Sequence, residues 1–331
     1  MFDLGAAAQE KLLRTMMNLG PAQPRILVVK LGALGDIIIS AEAFQSIRNH
    51  HPDAHITLLT RKSFEAIART MPWFDEVMVD TSPKFHEIGK LLKLRRELRR
   101  ARFHRVYDLQ TNDRTTIYFN LLRPNPPEWC GIARGCSHRR HDHRRDPVLS
   151  GERLLRFLES LGVPRSTPAD LSWLDAPLDG FTIPEKFALI IPGCAPQHPV
   201  KRWPVRHFAA LANILHAKGL EVFAIGTKVD ESAISEIQAL SPQVISLAGK
   251  TSIPQIVALA RRAQCVVGND TGPTHITALV GAPTFVVMSR VTDPLRMLPQ
   301  GPIVGYLKCM DLYDLPAVDV FAKLSFREPL A

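Results

Sequence analysis

The residues of this chain best suited to chemistry are Asn269, Asp270, Thr271 and Gly272, followed closely by Pro273 and His275. They lie between two apolar, β-branched-rich runs, Cys265–Val267 and Thr284–Met288, with a short apolar-periodic segment after the turn. Strand, glycine turn, helix and strand make a βαβ unit, a layout that normally builds a parallel sheet. Asp and Thr cap helices well, and proline fits a first helical position, where its missing N–H has no consequence. A glycine-lined helix N-terminus at the carboxyl edge of such a sheet presents free N–H groups and a positive dipole end. Both favour a phosphate. His275, one turn in, is placed to face the same ligand; a well-capped helix start without a ligand is the alternative.

Three further clusters sit at similar junctions. Gly32-x-x-Gly35-Asp36 follows a strand and opens a helix, yet it is neither the dinucleotide fingerprint nor a Walker A loop. Its glycines allow another molecule close to the backbone. Asp36 is then a candidate general base for a hydroxyl within hydrogen-bond reach, or simply an N-cap. Pro192–Pro204 is a Gly/Pro-shaped loop that ends in Lys201 and Arg202. Lys201 is placed to neutralise a diphosphate and Arg202 to add bidentate contacts; solvated surface is the other reading. Asp230, just after Gly226, is a candidate for a ribose hydroxyl, whereas Glu231 beside it reads equally well as a first-turn charge. Cys130, Cys136, His138, His141 and His143 do not follow a common zinc spacing, and the interleaved arginines repel a cation, so no metal site is expected.

Alternating elements must position these groups. Strands are expected at Ile26–Lys30, Ile56–Leu59, Val77–Val79 and Arg105–Leu109, with one helix from Ile37 to near His51 and another over Ile88–Arg102. From Arg123 to Pro147 periodicity vanishes, which predicts a long loop, and a helix follows at Gly151–Gly162. Proline-rich Val163–Pro184 reads as an inter-domain linker. A second alternation begins at Phe187–Ile191. It runs through helix Val205–Lys218, strand Glu221–Ile225, helix Glu231–Leu240, strand Val244–Leu247 and helix Ile253–Arg262, and Ala317–Leu324 closes the chain as a helix. The expected class is α/β with two doubly wound units facing a cleft.

With 331 residues, 46% of them hydrophobic, the chain can bury two ordinary domain cores. No apolar run reaches the ~18–20 residues needed to cross a bilayer. The first twenty residues read as an amphipathic helix rather than a secretory signal, and the five scattered cysteines suit reduced thiols in the cytoplasm. The net charge of +9 is concentrated along Lys90–Arg105 and Arg134–Arg145. Such surfaces attract phosphate-bearing partners, including anionic headgroups and phosphorylated glycans. Leu91, Leu94 and Leu98 share a face of the first cluster, whose cationic side is either simply solvated or docks on an anionic membrane. No aromatic-interleaved basic motif accompanies the charge, so nucleic acid is not an expected partner.

Four blocks of this sequence resemble those of the lipopolysaccharide heptosyltransferases, glycosyltransferase family 9. They are Ile26–Thr60, Tyr107–Tyr118, Pro192–Pro204, and Val266–Val287 with the following Thr292-Asp293-Pro294. The resemblance runs from about Arg25 to Leu324 and implies a GT-B fold of two Rossmann-like domains. Residues 1–175 would bind the acceptor and 176–331 the nucleotide sugar, with the option of a C-terminal helix packing back on the first domain. The implied reaction is inverting transfer of a heptose from an ADP-activated donor to a hydroxyl of the lipopolysaccharide inner core. By the same resemblance Asp36 is the base. Lys201, Arg202, Asp230, Asp270, Thr271, Gly272 and His275 serve the donor, and Gly32, Gly35, Arg114 and Arg134 serve the acceptor. No cofactor and no essential metal are implied. The partners would be the nucleotide-sugar donor, a lipid-linked anionic glycan and the cytoplasmic face of the inner membrane, held peripherally. A UDP- or GDP-sugar enzyme, or a non-catalytic nucleotide-binding scaffold, is the alternative on the same architecture. The chain departs from the family pattern at Ser40-Ala41-Glu42, where a proline pair is usual, and at Arg290-Val291, where Gly-Pro usually precedes Thr-Asp-Pro.

Overall fold

The computed structural model describes residues 23–84, 86–140 and 148–328. Its first half contains β1 (Arg25–Val29), α1 (Leu34–Ile39), α2 (Ala41–His50), β2 (His55–Arg61), α3 (Glu65–Ala68) and β3 (Glu76–Asp80). α4 (Ile88–Arg100), β4 (Arg105–Asp108), α5 (Asp113–Leu121), β5 (Glu128–Gly131), β6 (His138–Arg139) and α6 (Ser150–Ser160) complete it. After an irregular stretch the second half runs β7 (Phe187–Ile191), α7 (Val205–Ala217), β8 (Glu221–Ala224), α8 (Glu231–Leu240), β9 (Ile245–Ser246) and α9 (Ile253–Arg262). β10 (Cys265–Asn269), α10 (Gly272–Leu279), β11 (Thr284–Ser289), α11 (Pro294–Met297), β12 (Val304–Cys309) and α12 (Ala317–Phe321) end it.

Each half forms one six-stranded sheet, ordered β3-β2-β1-β4-β5-β6 and β12-β11-β10-β7-β8-β9. Every pairing is parallel. In the first sheet strand order reverses beside β1, and in the second beside β7. Ligands of open α/β sheets bind outside the carboxyl ends of the strands at that reversal. The candidate turns at 32–36, 192–204 and 270–272 follow the central strands β1, β7 and β10, while the Gly226–Asp230 turn follows the next strand, β8.

The apolar runs become strands covered on both faces, as a parallel sheet requires. In the first unit Ile26 and Val28 face α1, α2 and α6, while Leu27 and Val29 face α4 and α5 through Leu94, Leu98, Tyr118 and Phe119. In the second unit Ile190 and Val267 pack under α7 and α8, and Ile191 and Val266 under α9. The two units share one apolar seam: Val257 of α9 and Ile276 of α10 belong to the same cluster as Ile37, Ile38 and Leu154.

Several expected elements take a different form. The single helix after β1 divides at Ser40, whose hydroxyl donates to the Asp36 carbonyl at 2.7 Å. The segment read as one long loop from Arg123 carries β5 and β6 before residue 140; Trp129 and Cys130 are fully buried there despite the Pro and Arg around them. β12 went unrecognised in the sequence because its outer residues alternate between exposed and half-buried at the sheet edge. α12 does not cross back to the first unit. Ala317 and Val320 join the core under α7, and Arg327 donates to the Ala263 carbonyl at 3.2 Å. The amphipathic helix expected in the first twenty residues lies outside the described residues, as do His141 and His143. No helix among the described residues is long and apolar enough to cross a membrane.

Candidate active site

The turn after β10 is held by its own side chains. Asp270 is almost wholly buried and accepts three hydrogen bonds: Lys201 Nζ at 2.7 Å, Thr292 Oγ1 at 2.9 Å and His275 Nε2 at 3.2 Å. Burial works against the carboxylate charge, but the hydrogen bonds from His275 and Lys201 outweigh it and hold the Asp270 carboxyl at about 2. Buried charges survive when they are paired and hydrogen-bonded in this way. Thr271 and Gly272 then open α10, where first-turn N–H groups have no partner inside the helix. Thr271 Oγ1 and His275 Nδ1 are buried without a hydrogen-bond partner. Beside a helix N-terminus and an ammonium, the Thr271 hydroxyl can donate to an incoming phosphate oxygen, and His275 Nδ1 can do so from a ring that carries both protons.

Asn269 ties that turn to the Pro192–Pro204 loop. Its side chain is fully buried, donates to the Pro192 carbonyl at 2.7 Å and accepts from the Trp203 backbone N–H at 2.9 Å. The Trp203 indole is anchored from below by the Leu315 carbonyl at 2.8 Å. This fixed loop delivers Lys201 to Asp270. Arg202 instead donates to the Cys194 carbonyl at 3.0 Å and shapes the loop. Asp230 lies against the same loop, because a Cβ placed on Gly193 would meet its carboxylate at 2.8 Å. One of its oxygens accepts from the Thr227 N–H and hydroxyl, both at 2.8 Å, and closes a helix cap.

On the facing unit, Gly32 has φ +118°, a conformation that only glycine takes readily, and a Cβ there would lie 2.3 Å from the Phe64 ring. Its role is the shape of the turn. Asp36 Oδ2 accepts the Ala33 N–H at 3.0 Å, so the carboxylate caps α1 and leaves its other oxygen for a ligand. Gly35 and Gly272 bring the two units together. A Cβ on Gly272 would sit 3.2 Å from the Gly35 nitrogen, and one on Gly35 would sit 3.3 Å from the Gly272 Cα. The N-termini of α1 and α10 therefore abut at two glycines, and Asp36 is the residue next to the contact.

Asp36 lines a cavity of about 290 Å³ with Lys30, Thr111, Asn112, Arg140, Arg153 and Arg296 among its walls. These side chains come from the end of β1, the turn after β4, the segment after β6, α6 and, from the second unit, α11. Four cations face one carboxylate, a lining suited to an anionic ligand. Lys30 is nearly buried and donates to the Leu109 carbonyl at 3.3 Å. Burial pulls its ammonium below the ordinary value; Asp36 and Asp108 oppose this, and Arg140 and Arg153 reinforce it. Asp108 Oδ1 accepts the Gln110 and Thr111 N–H groups at 3.1 and 2.9 Å and so shapes the cavity wall. Burial pushes that carboxyl up to about 6.

Neither arginine expected at the acceptor side lines this cavity. Arg114 donates to the Pro83 carbonyl at 3.2 Å, and Arg134 borders a separate hollow with Thr116, Asn120 and Arg123. Of the cations that do line it, Lys30, Arg153 and Arg296 went unrecognised because they are single residues from separate segments, and Arg140 was noted only as part of the Arg134–Arg145 cluster. Thr292, which donates to Asp270, lies in a motif noted above. Among the described residues no cluster of three or more His, Cys, Asp or Glu side chains could hold a metal. Cys130 is buried in β5 and His138 pairs with Glu128 at 2.5 Å.

Comparison with known proteins places this geometry in a family. Residues 91–318 match the model described as glycosyltransferase family 9 (heptosyltransferase). The chain is 24% identical to the lipopolysaccharide core heptosyltransferase OpsX of Haemophilus influenzae, an alignment covering 94% of this chain and 90% of that one. Its fold matches a glycosyl transferase family 9 structure from Veillonella parvula with a TM-score of 0.78, at 21% identity over 90% of this chain and 95% of that one. The structure of Escherichia coli ADP-heptose LPS heptosyltransferase II superposes with a TM-score of 0.73, at 23% identity over 90% and 96% of the two chains.

Proposed function

The chain belongs to glycosyltransferase family 9, the heptosyltransferases, and from that membership we propose that it transfers a heptose from an ADP-activated donor to a hydroxyl of the lipopolysaccharide inner core. In this reading residues 1–175 hold the acceptor and residues 176–331 hold the nucleotide sugar. The diphosphate sits on the N-terminus of α10, taking the Thr271 and Gly272 N–H groups and the free atoms of Thr271 and His275, with Lys201 as its counter-charge. Asp230 is the candidate for the ribose. The acceptor enters the cavity of Lys30, Arg140, Arg153 and Arg296, whose charge suits an anionic glycan. Its lipid anchor would keep the enzyme peripherally at the cytoplasmic face of the inner membrane.

The reaction then balances without a cofactor. The acceptor oxygen attacks the sugar C1 on the face opposite the diphosphate, the C1–O bond to ADP breaks, and the configuration inverts. The acceptor proton passes to Asp36. The charge arriving on ADP meets Lys201 and the α10 N-terminus, electrostatic stabilisation of the kind that contributes several kcal/mol to a transition state. One observation supports the reading above all: Gly35 of one unit touches Gly272 of the other, so residue 36 follows directly on the contact with the phosphate-type turn.

Asp36→Asn tests it. The amide retains an oxygen for the Ala33 N–H, so the turn and the fold survive. Turnover with ADP-heptose and a core acceptor falls by roughly 10²–10⁴-fold, the usual contribution of a general base, while ADP affinity measured by calorimetry is unchanged. Wild-type turnover in this variant removes Asp36 from the mechanism. A thermal-shift panel of ADP, UDP and GDP tests the donor, and a larger shift with UDP or GDP overturns the ADP assignment.

A further inference from the structure

The outward face of α4 has no role in the cleft, and its composition is unusual for bare surface. Leu94 and Leu98 anchor the helix in the core, yet Ile88 and Leu92, one turn apart, are 65% and 52% exposed. Around them Lys90, Lys93, Arg96 and Arg100 also face solvent. Two of these cations have acidic neighbours on the helix: Lys90 pairs with Glu87, and Lys93 approaches Glu97 at 4.0 Å. The basic surface continues across the C-terminal end, where Arg99 donates to the Arg123 carbonyl at 2.9 Å and Arg123 donates to the Arg134 carbonyl at 3.1 Å.

The position of the apolar pair gives this face a direction. α4 follows β3 after a short connection, so Ile88 stands at the carboxyl edge of the first sheet, the edge on which the Asp36 cavity lies. A direct connection joins the two. Arg114 of α5 donates to the Pro83 carbonyl in the segment leading to α4, and the same end of α5 supplies Thr111 and Asn112 to the cavity wall.

We propose that the outward face of α4 docks this protein on an anionic lipid bilayer, with Ile88 and Leu92 entering the interface and Lys93 and Arg96 meeting the headgroups. Cations bordering exposed aliphatic side chains match that surface, because the interface accepts both the charge and the apolar stems. A nucleic-acid backbone would reward the charge alone. Docking there would hold the unit that carries the Asp36 cavity at the bilayer, which deepens the lipid-linked-acceptor reading given above and rests on it.

The test is co-sedimentation of the full chain with phosphatidylcholine vesicles, with and without phosphatidylglycerol, in the absence of donor and acceptor. Binding is expected only to the anionic vesicles and weakens as salt rises. Lys93→Gln with Arg96→Gln lowers partitioning by about fivefold for each cation removed, and Ile88→Ser with Leu92→Ser lowers it by about tenfold or more. Both variants keep wild-type transfer to a soluble core glycan lacking lipid. Absence of binding to anionic vesicles, or wild-type binding by either double variant, overturns the proposal. So does loss of transfer to the soluble glycan, which would place these residues in the fold or the site instead. Vesicle binding without any transferase activity would leave the docking face standing and sink the reaction assignment alone.

Discussion

Replacing Asp270 by asparagine tests whether the buried network around the phosphate-type turn is held by charge. The Asp270 side chain is 2% exposed and accepts from Lys201, Thr292 and His275. The carboxyl stands at about 2 against an ordinary 3.8, and each pKa unit corresponds to about 1.4 kcal/mol, so the folded state gains about 2 kcal/mol from the ionised group. The folded value is the depressed one. That stability is therefore complete above the unfolded value of 3.8 and is lost as pH falls through 3.8 toward 2. The substituted amide would be neutral and would turn an N–H₂ toward donors that need an acceptor. Asp270→Asn therefore loses about 2 kcal/mol or more at pH 7, and the gap from wild type narrows by about 1 kcal/mol at pH 3. Urea unfolding followed by fluorescence across this range reads both numbers. Equal stability at pH 7 refutes the charge argument, and a gap that stays constant down to pH 3 refutes the depressed carboxyl.

Other substitutions probe the remaining parts of the site. Gly272→Ala sets a methyl 3.2 Å from the Gly35 nitrogen, so the helix ends must part by a few tenths of an ångström; kcat/KM falls by about tenfold or more with unfolding unchanged, and full activity would show that the glycine contact does not set the cleft. Arg153→Ala removes a cation from the cavity wall; KM for an anionic acceptor rises by about tenfold while ADP affinity holds, and an unchanged acceptor KM would exclude this cavity. Asp108→Asn removes a buried carboxylate whose value is raised to about 6. A raised carboxyl destabilises the fold as pH rises through 3.8 to 6, so the variant should be more stable than wild type by up to about 3 kcal/mol at pH 8 and equal to it at about pH 3 and below, as denaturation at both pH values would show. Burial pushes Cys130 and Cys265 up to about 12, and both are expected to resist a thiol reagent at about pH 8 until the protein unfolds.

The order of elements and the two loops that flank the cleft were legible in the residues themselves. A strand of consecutive apolar residues, a turn rich in Gly, Asp and Thr and a helix with a capped start are local choices. ILVV before Gly32 and CVVGN before Asp270 express them within a few neighbours along the chain. Asp36, Lys201, Asp270 and His275 stood out as candidates for the same reason, since each sits at such a junction. Short range also explains what was misread. Ser40 divides a helix by bonding backward to Asp36, and β5 and β6 form in a segment without periodicity because β4 pairs with β5 and β5 in turn with β6.

Tertiary structure alone decided who faces whom. Lys30, Arg140, Arg153 and Arg296 have no common motif, and they converge because four separate elements end at one cavity. Arg114 and Arg134 belong to the same basic composition and are turned elsewhere. Lys201 and Asp270 lie 69 residues apart, and only the reversal of strand order between β7 and β10 brings them within a hydrogen bond. The sequence by itself determines local backbone and the chemistry carried at each turn, because those follow from neighbours. The pairing of charges, the burial that shifts them and the contact of Gly35 with Gly272 depend on packing two units together, which no stretch of residues encodes alone.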